Sequence, residues 1–183
     1  MSQSAYLNDM NRAAMVLYDH PVVAAAMALR EAIRCRVPIY VCGNGGSASM
    51  ADHFVIDMVK MAGATNIQSL SSNMAVITAW ANDVSYADVF GAQLHGLDRR
   101  SVLVAISSSG RSENVLRAAR IVRTVEEGMV IGISGRTGHE YNALLTLSTH
   151  PIAIPSNDTQ IVEDVTGISL HLITKLIKEA NNA

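Results

Sequence analysis

Cysteine is nearly missing from this chain of 183 residues: Cys35 and Cys42 are the whole supply. Two thiols build no disulfide framework, and both read as reduced thiols of a cytoplasmic protein. Charge is scarce as well, at 16% of residues with a formal net of −2. A general nucleic-acid binder would show a basic excess, so that class is set aside. No uncharged apolar run reaches the ~18 residues that a membrane span requires. Met1 to Asp9 has no basic segment followed by an apolar one, so no signal peptide is expected there. Internal repeats, low-complexity tracts and linkers are absent too. The expectation is one domain over residues 1–183, with a helical segment over 1–36 and a sheet core with a terminal helix over 37–183. What the chain has in excess is apolar surface, 49% by composition. Set against so little charge, that excess points to surface buried between subunits.

Helical and strand patterns alternate along the chain. Apolar spacing predicts two helices from Ser4 to about Val37, split near Asp19-His20-Pro21. Buried strands are predicted at Pro38 to Cys42, Ser101 to Ile106 and Met129 to Ile133, with a short one at Ile67 to Leu70. Helices are expected at Ser47 to Met61, Met74 to Ala81, Tyr86 to Leu97 and Glu113 to Val125, and a long one at Thr159 to Asn181. Leu145 to Leu147 and Ile152 to Ile154 read as edge strands, and Asp98-Arg99-Arg100 and Ser134 to Gly138 as turns. Apolar strands alternating with helices imply an α/β three-layer sandwich: a central parallel sheet flanked by helices, with further helices at the N-terminus. In such folds ligands gather at the carboxyl ends of the strands.

Two polar turns fall at that edge. Asn44-Gly45-Gly46-Ser47 follows the first strand, and Ser107-Ser108-Ser109-Gly110-Arg111-Ser112 follows the strand at 101–106. Each precedes a helix whose free N–H groups and positive dipole end suit an anion. Small hydroxyls beside backbone donors can hold a phosphate without lysine or arginine. Either turn alone would pass for an ordinary cap; two at strand-to-helix switches point to a site. On the helix after the first turn, His53 and Asp57 are four residues apart and share a face. A titratable pair beneath an anion cradle suggests an enzyme for a phosphorylated small molecule.

These residues resemble a known family. Asn44-Gly45-Gly46-Ser47 with His53, then Ala81-Asn82-Asp83, then Ser107 to Asn114, is similar to the sugar isomerase (SIS) domain family, in its phosphoheptose isomerase branch. The likeness runs from about Ile39 to Leu176. It implies a flavodoxin-like SIS domain, conversion of sedoheptulose 7-phosphate to D-glycero-D-manno-heptose 7-phosphate, a homotetramer with sites between subunits, and zinc in some members. Position by position, it places metal ligands at His53, Asp57, Glu163 and His171, with Asp57 and His171 as catalytic base and acid the competing use of the same side chains. Substrate contacts fall on Asn44, Gly45, Gly46, Ser47, Asp57, Asn82, Asp83, Ser107, Ser108, Ser109, Ser112 and Glu163.

The chain departs from that pattern in places. Asp57 stands for a glutamate, Glu163 for a glutamine and Thr166 for a histidine. A Gly-Arg-Tyr segment is replaced by Val59-Lys60-Met61-Ala62, and the loop from Met61 to Gln68 is expected near the sugar. Helical geometry sets Glu163 roughly 80° from His171 and Asp164 within about 20°, so spacing favours Asp164 while the family register favours Glu163. His20, His95, His139 and His150 lack partners at useful spacing and read as surface or capping residues. Cys35 and Cys42 read as inert buried thiols. Two function classes remain: a ketose–aldose phosphate isomerase, and a non-catalytic SIS protein that binds a protein partner or senses a sugar phosphate.

Overall fold

The computed structural model describes residues 2–18, 20–97, 100–135 and 142–182. Five strands form one sheet: β1 (Ile39–Cys42), β2 (Ile67–Ser69), β3 (Val102–Ile106), β4 (Met129–Gly135) and β5 (His150–Ile154). Their order is β2-β1-β3-β4-β5 and every neighbouring pair is parallel. This is the flavodoxin-like winding, in which the chain reverses its direction of travel between β1 and β3. The turns after those two strands therefore open side by side.

Seven helices cover the sheet. One layer holds α1 (Gln3–Ala14), α2 (His20–Arg34), α3 (Gly46–Ala62) and α7 (Thr159–Asn182). The other holds α4 (Met74–Asp83), α5 (Glu113–Thr124) and α6 (Ala143–Leu147). The strands read as continuous apolar runs because both faces are covered. In β3, Val102, Val104 and Ile106 pack under α3 and α7, while Leu103 and Ala105 face the α5 layer.

The two N-terminal helices separate near Pro21 as expected, α1 ending at Ala14 and α2 opening at His20 with Pro21 in its first turn, where its missing N–H costs nothing. Most other expectations are met, with three differences. Tyr86 to Leu97 is not one helix. It forms two short 3-10 segments, Tyr86–Asp88 and Gly91–Leu94, which seat Val89, Phe90 and Leu94 in the core. Leu145 to Leu147 belongs to α6, whose N-cap Asn142 accepts from the Leu145 N–H at 3.0 Å; three residues carry no period that separates strand from helix. Cys42 is buried and its thiol is pushed up to about 12 by burial, but Cys35 is exposed. Its thiol donates to Glu31 at 3.1 Å, which raises its pKa too. Of the remaining turn and histidine expectations, those at Asp98-Arg99, Arg136 to Gly138 and His139 lie outside the described residues.

Candidate active site

Helices α3 and α7 pack side by side, and their shared surface gathers three of the expected ligands. His53 and Asp57 stand one turn apart on α3, with Nε2 to Oδ2 at 3.4 Å. From α7, His171 brings its Nε2 to 3.1 Å from the Nε2 of His53 and 3.6 Å from the same Asp57 oxygen. The two rings meet edge to face. Both histidines are exposed, while the Asp57 side chain is 21% exposed.

The same three separations pass a test for a metal. A tetrahedral ion with bonds of about 2.0–2.1 Å holds its ligand atoms about 3.4 Å apart. The values of 3.1, 3.4 and 3.6 Å bracket that edge, with two nitrogens and one carboxylate oxygen turned to a common point. The donor set suits zinc and leaves a fourth position open.

Glu163 is not part of this group. Its carboxylate lies against Gly46, so a Cβ on Gly46 would sit 2.9 Å from both carboxylate oxygens. Eight residues separate Glu163 from His171, about 12 Å along the helix. α3 and α7 thus run in the same direction, with Glu163 at the first turn of α3 and the histidines two turns below. Asp164, the rival by spacing, is held elsewhere: the Tyr6 hydroxyl donates to it at 2.6 Å. That bond raises the Tyr6 pKa to about 12. Thr166 is buried and returns its hydroxyl to the Val162 carbonyl at 2.7 Å.

The glycine turn is tied to its neighbour. The Asn44 side chain exchanges two hydrogen bonds with Asn114 on α5, at 2.9 and 2.8 Å. It also accepts from the Tyr86 hydroxyl at 2.9 Å. Asn114 is 3% exposed, so the pair is a buried clasp between the turns after β1 and β3. Gly45 supplies no side-chain cap to α3. Ser47 is buried below the turn and donates its N–H to the Asn44 carbonyl at 3.0 Å.

The serine turn is open by contrast. Ser107 donates its hydroxyl to Ser112 at 3.1 Å, and Ser109 Oγ accepts from the Arg111 N–H at 3.2 Å. The turn is propped from behind. Gly110, at φ +65°, leaves room for Asn142, which donates to Ser134 Oγ and the Gly135 carbonyl at 2.9 Å. The Ser108 carbonyl accepts from the Gly135 N–H at 3.0 Å. Among the described residues, the N–H groups of Ser108, Ser109 and Ser112 have no bonded partner. They lie at the start of α5, where an anion is favoured.

Asn82 and Asp83 end α4, and their side chains bond each other at 2.7 Å. Within one chain the Met61 to Gln68 loop is not near these turns. Asn66 anchors it to the carbonyls of Ala32 and Val37, at the amino end of β1. Two residues carried no assigned site role from the sequence: Asn114, which closes the serine motif at the start of α5, and Tyr86, which carries no motif. The remaining histidines have local partners where described: His95 meets Trp80 edge-on and His150 bonds Thr149.

A model of the SIS domain matches residues 5–135. The chain belongs to the SIS domain family. Relatives named phosphoheptose isomerase include that of Coxiella burnetii, 33% identical over 171 residues, covering 90% of this chain and 85% of the relative. That of Helicobacter hepaticus is 34% identical, covering 84% and 79%. Among solved structures, phosphoheptose isomerase from Neisseria gonorrhoeae superposes with a TM-score of 0.84 at 29% identity, covering 96% of each chain. The Francisella tularensis phosphoheptose isomerase, at 23% identity and a TM-score of 0.85, shares the fold.

Proposed function

We propose that this SIS domain is an aldose–ketose isomerase, a phosphoheptose isomerase that converts sedoheptulose 7-phosphate to D-glycero-D-manno-heptose 7-phosphate. The observation that carries the reading is the His53–Asp57–His171 cluster, found in a chain one third identical to phosphoheptose isomerases over nine tenths of its length. A protein that only senses a sugar phosphate would need the serine turn but not this cluster.

The reaction requires a proton to leave C1 of the ketose and one to arrive at C2. Asp57 accepts the C1 proton, the C1–H electron pair forms the C1–C2 double bond, and His171 protonates the carbonyl oxygen at C2. The resulting enediol collapses the other way: the O1 proton leaves, the carbonyl forms at C1, and C2 takes a proton. His53, 3.1 Å from His171, holds that imidazole in place. The same three side chains, His53, Asp57 and His171, are alternatively the ones that would hold zinc, which when bound would polarise the substrate carbonyl as a Lewis acid; the two uses compete, because a nitrogen or oxygen lone pair on the metal is not available to the proton. Glu163 then serves the sugar and not the metal.

Phosphate is assigned to Ser107, Ser108, Ser109 and Ser112, and the sugar to Asn44, Gly45, Gly46, Ser47, Asn82, Asp83 and Glu163. We read residues 1–183 as one SIS domain and its assembly as a homotetramer. The support is an apolar face carrying exposed Met15, Val23, Met27, Ile56 and Val59. Beside it, Leu17, Val22, Ile168, Leu172 and Leu176 line a groove of about 490 Å³. Leu172 adjoins His171 and Ile56 adjoins Asp57, so a partner on this face would wall the site. No helix is long and apolar enough to cross a membrane among the described residues, and two free thiols suit a reducing cytoplasm.

The test is elemental analysis of protein purified without chelator, beside isomerase assays of His171→Ala and Asp57→Asn. One zinc per chain and a fall of roughly 10²–10⁴ in kcat in each variant are expected. Full activity in both variants would remove the catalytic assignment.

A further inference from the structure

The buried clasp between the two turns fixes which end of each amide is oxygen. On α5 the backbone N–H of Val115 donates to Asn114 Oδ1 at 3.0 Å. A backbone N–H can only donate, so the Asn114 amide has one permitted orientation. Asn114 Nδ2 then donates to Asn44 Oδ1 at 2.8 Å, and Asn44 Nδ2 donates back to Asn114 Oδ1 at 2.9 Å. With Asn44 Oδ1 turned towards Tyr86, the Tyr86 hydroxyl must be the donor of their 2.9 Å bond. Both lone pairs of Asn44 Oδ1 are thereby filled. One N–H of its amide has no acceptor among the described residues. Tyr86, on an exposed side chain, has given away its only hydroxyl proton and keeps acceptor capacity. To a newcomer, Asn44 can only donate and Tyr86 can only accept.

The segment that carries Tyr86 is anchored on both sides. Ser85 donates to Asp88 at 2.6 Å, Arg117 of α5 donates to the same carboxylate at 2.7 Å, and Val89 and Phe90 are buried just beyond. The pair is therefore presented on fixed elements, which lowers the cost of ordering it around a ligand. We infer that Tyr86 is a specificity-determining residue that, together with Asn44, reads one hydroxyl of the sugar. The inference rests on the proposed phosphosugar function and adds a residue to its site. A hydroxyl gives one hydrogen bond and takes another, so it matches an adjacent acceptor and donor of fixed sense. An ionised phosphate oxygen only accepts; it could satisfy the Asn44 N–H but would turn a lone pair on Tyr86. Asn114 is the positioning residue of this pair, since its buried amide sets the polarity of both.

The experiment titrates sedoheptulose 7-phosphate by calorimetry and inorganic phosphate by phosphorus NMR, on wild type and on Tyr86→Phe. The substitution keeps the ring and removes the hydroxyl. The dissociation constant of the sugar phosphate should rise about three- to tenfold, the share of one neutral hydrogen bond, while that of inorganic phosphate stays at its wild-type value. A merely structural Tyr86 would loosen the clasp that joins the two turns, and both ligands would weaken alike. That result overturns this inference alone, as does an unchanged constant for the sugar phosphate. Failure of wild type to bind either ligand overturns the functional reading, and this inference with it.

Discussion

The turns after β1 and β3 begin as the same device and are finished by different side chains. Both follow a buried strand of one parallel sheet, both start a helix, and both lie at the point where the winding reverses. The glycine turn sends its one long polar side chain away from its own backbone: Asn44 is spent on Asn114 and Tyr86. The serine turn spends its hydroxyls within itself, and three of its N–H groups have no bonded partner among the described residues. Two helix starts of like composition are thus held in shape differently, one by a distant element and one locally.

The comparison can be broken at its clasp. Asn114→Ala removes both bonds to Asn44 and leaves a part-buried amide short of partners, at a cost of about 1–3 kcal/mol in stability. If the turns work as one unit, sugar-phosphate affinity should fall with it. Urea denaturation beside calorimetry would show this, and a stable variant with normal affinity would mean that the turns act separately. A narrower cut is Ser109→Ala in the open turn. Losing one hydroxyl partner of a charged oxygen costs on the order of 1.5–3 kcal/mol, so the dissociation constant should rise roughly tenfold or more. An unchanged constant would place the phosphate elsewhere.

The smallest effect is expected at Tyr6, whose hydroxyl ties α1 to Asp164 on α7. Its folded pKa is raised above the usual value of 10 to about 12 by the bond to Asp164. Stability from that bond is fully present below pH 10 and is lost as pH rises towards 12. Tyr6→Phe should lower the melting temperature slightly at neutral pH and flatten its decline over that alkaline window. Identical alkaline curves for variant and wild type would show that the bond contributes nothing to holding α1 on α7.

How much of this was legible follows from the kind of signal each part carries. The strands announced themselves through continuous apolar runs such as Val102–Ile106, and α3 and α7 through long periodic segments. His53 and Asp57 were legible as a pair because helical spacing alone unites them. Their meeting with His171 needed the fold, since the two histidines are 118 positions apart. Glu163 was placed with the metal by family register, and the structure sets it at Gly46 because α3 and α7 run parallel and place their first turns together. Two segments misled for different reasons: Leu145 to Leu147 is too short to show a period, and the helical spacing of Tyr86 to Leu97 is one that two 3-10 turns also satisfy through i, i+3 neighbours. Asn114 stood at the end of the serine motif without a role, because its partner Asn44 lies 70 positions away.

The central claim is that the His53–Asp57–His171 cluster moves a proton between C1 and C2 of a phosphorylated ketose. The most direct measurement is incubation of zinc-supplied protein with sedoheptulose 7-phosphate in deuterium oxide, followed by proton NMR. The account predicts an aldose phosphate bearing deuterium at C2, and loss of both turnover and label in Asp57→Asn. A correctly folded wild-type protein that turns over no ketose phosphate, or an Asp57→Asn variant that labels C2 as fast as wild type, would contradict it.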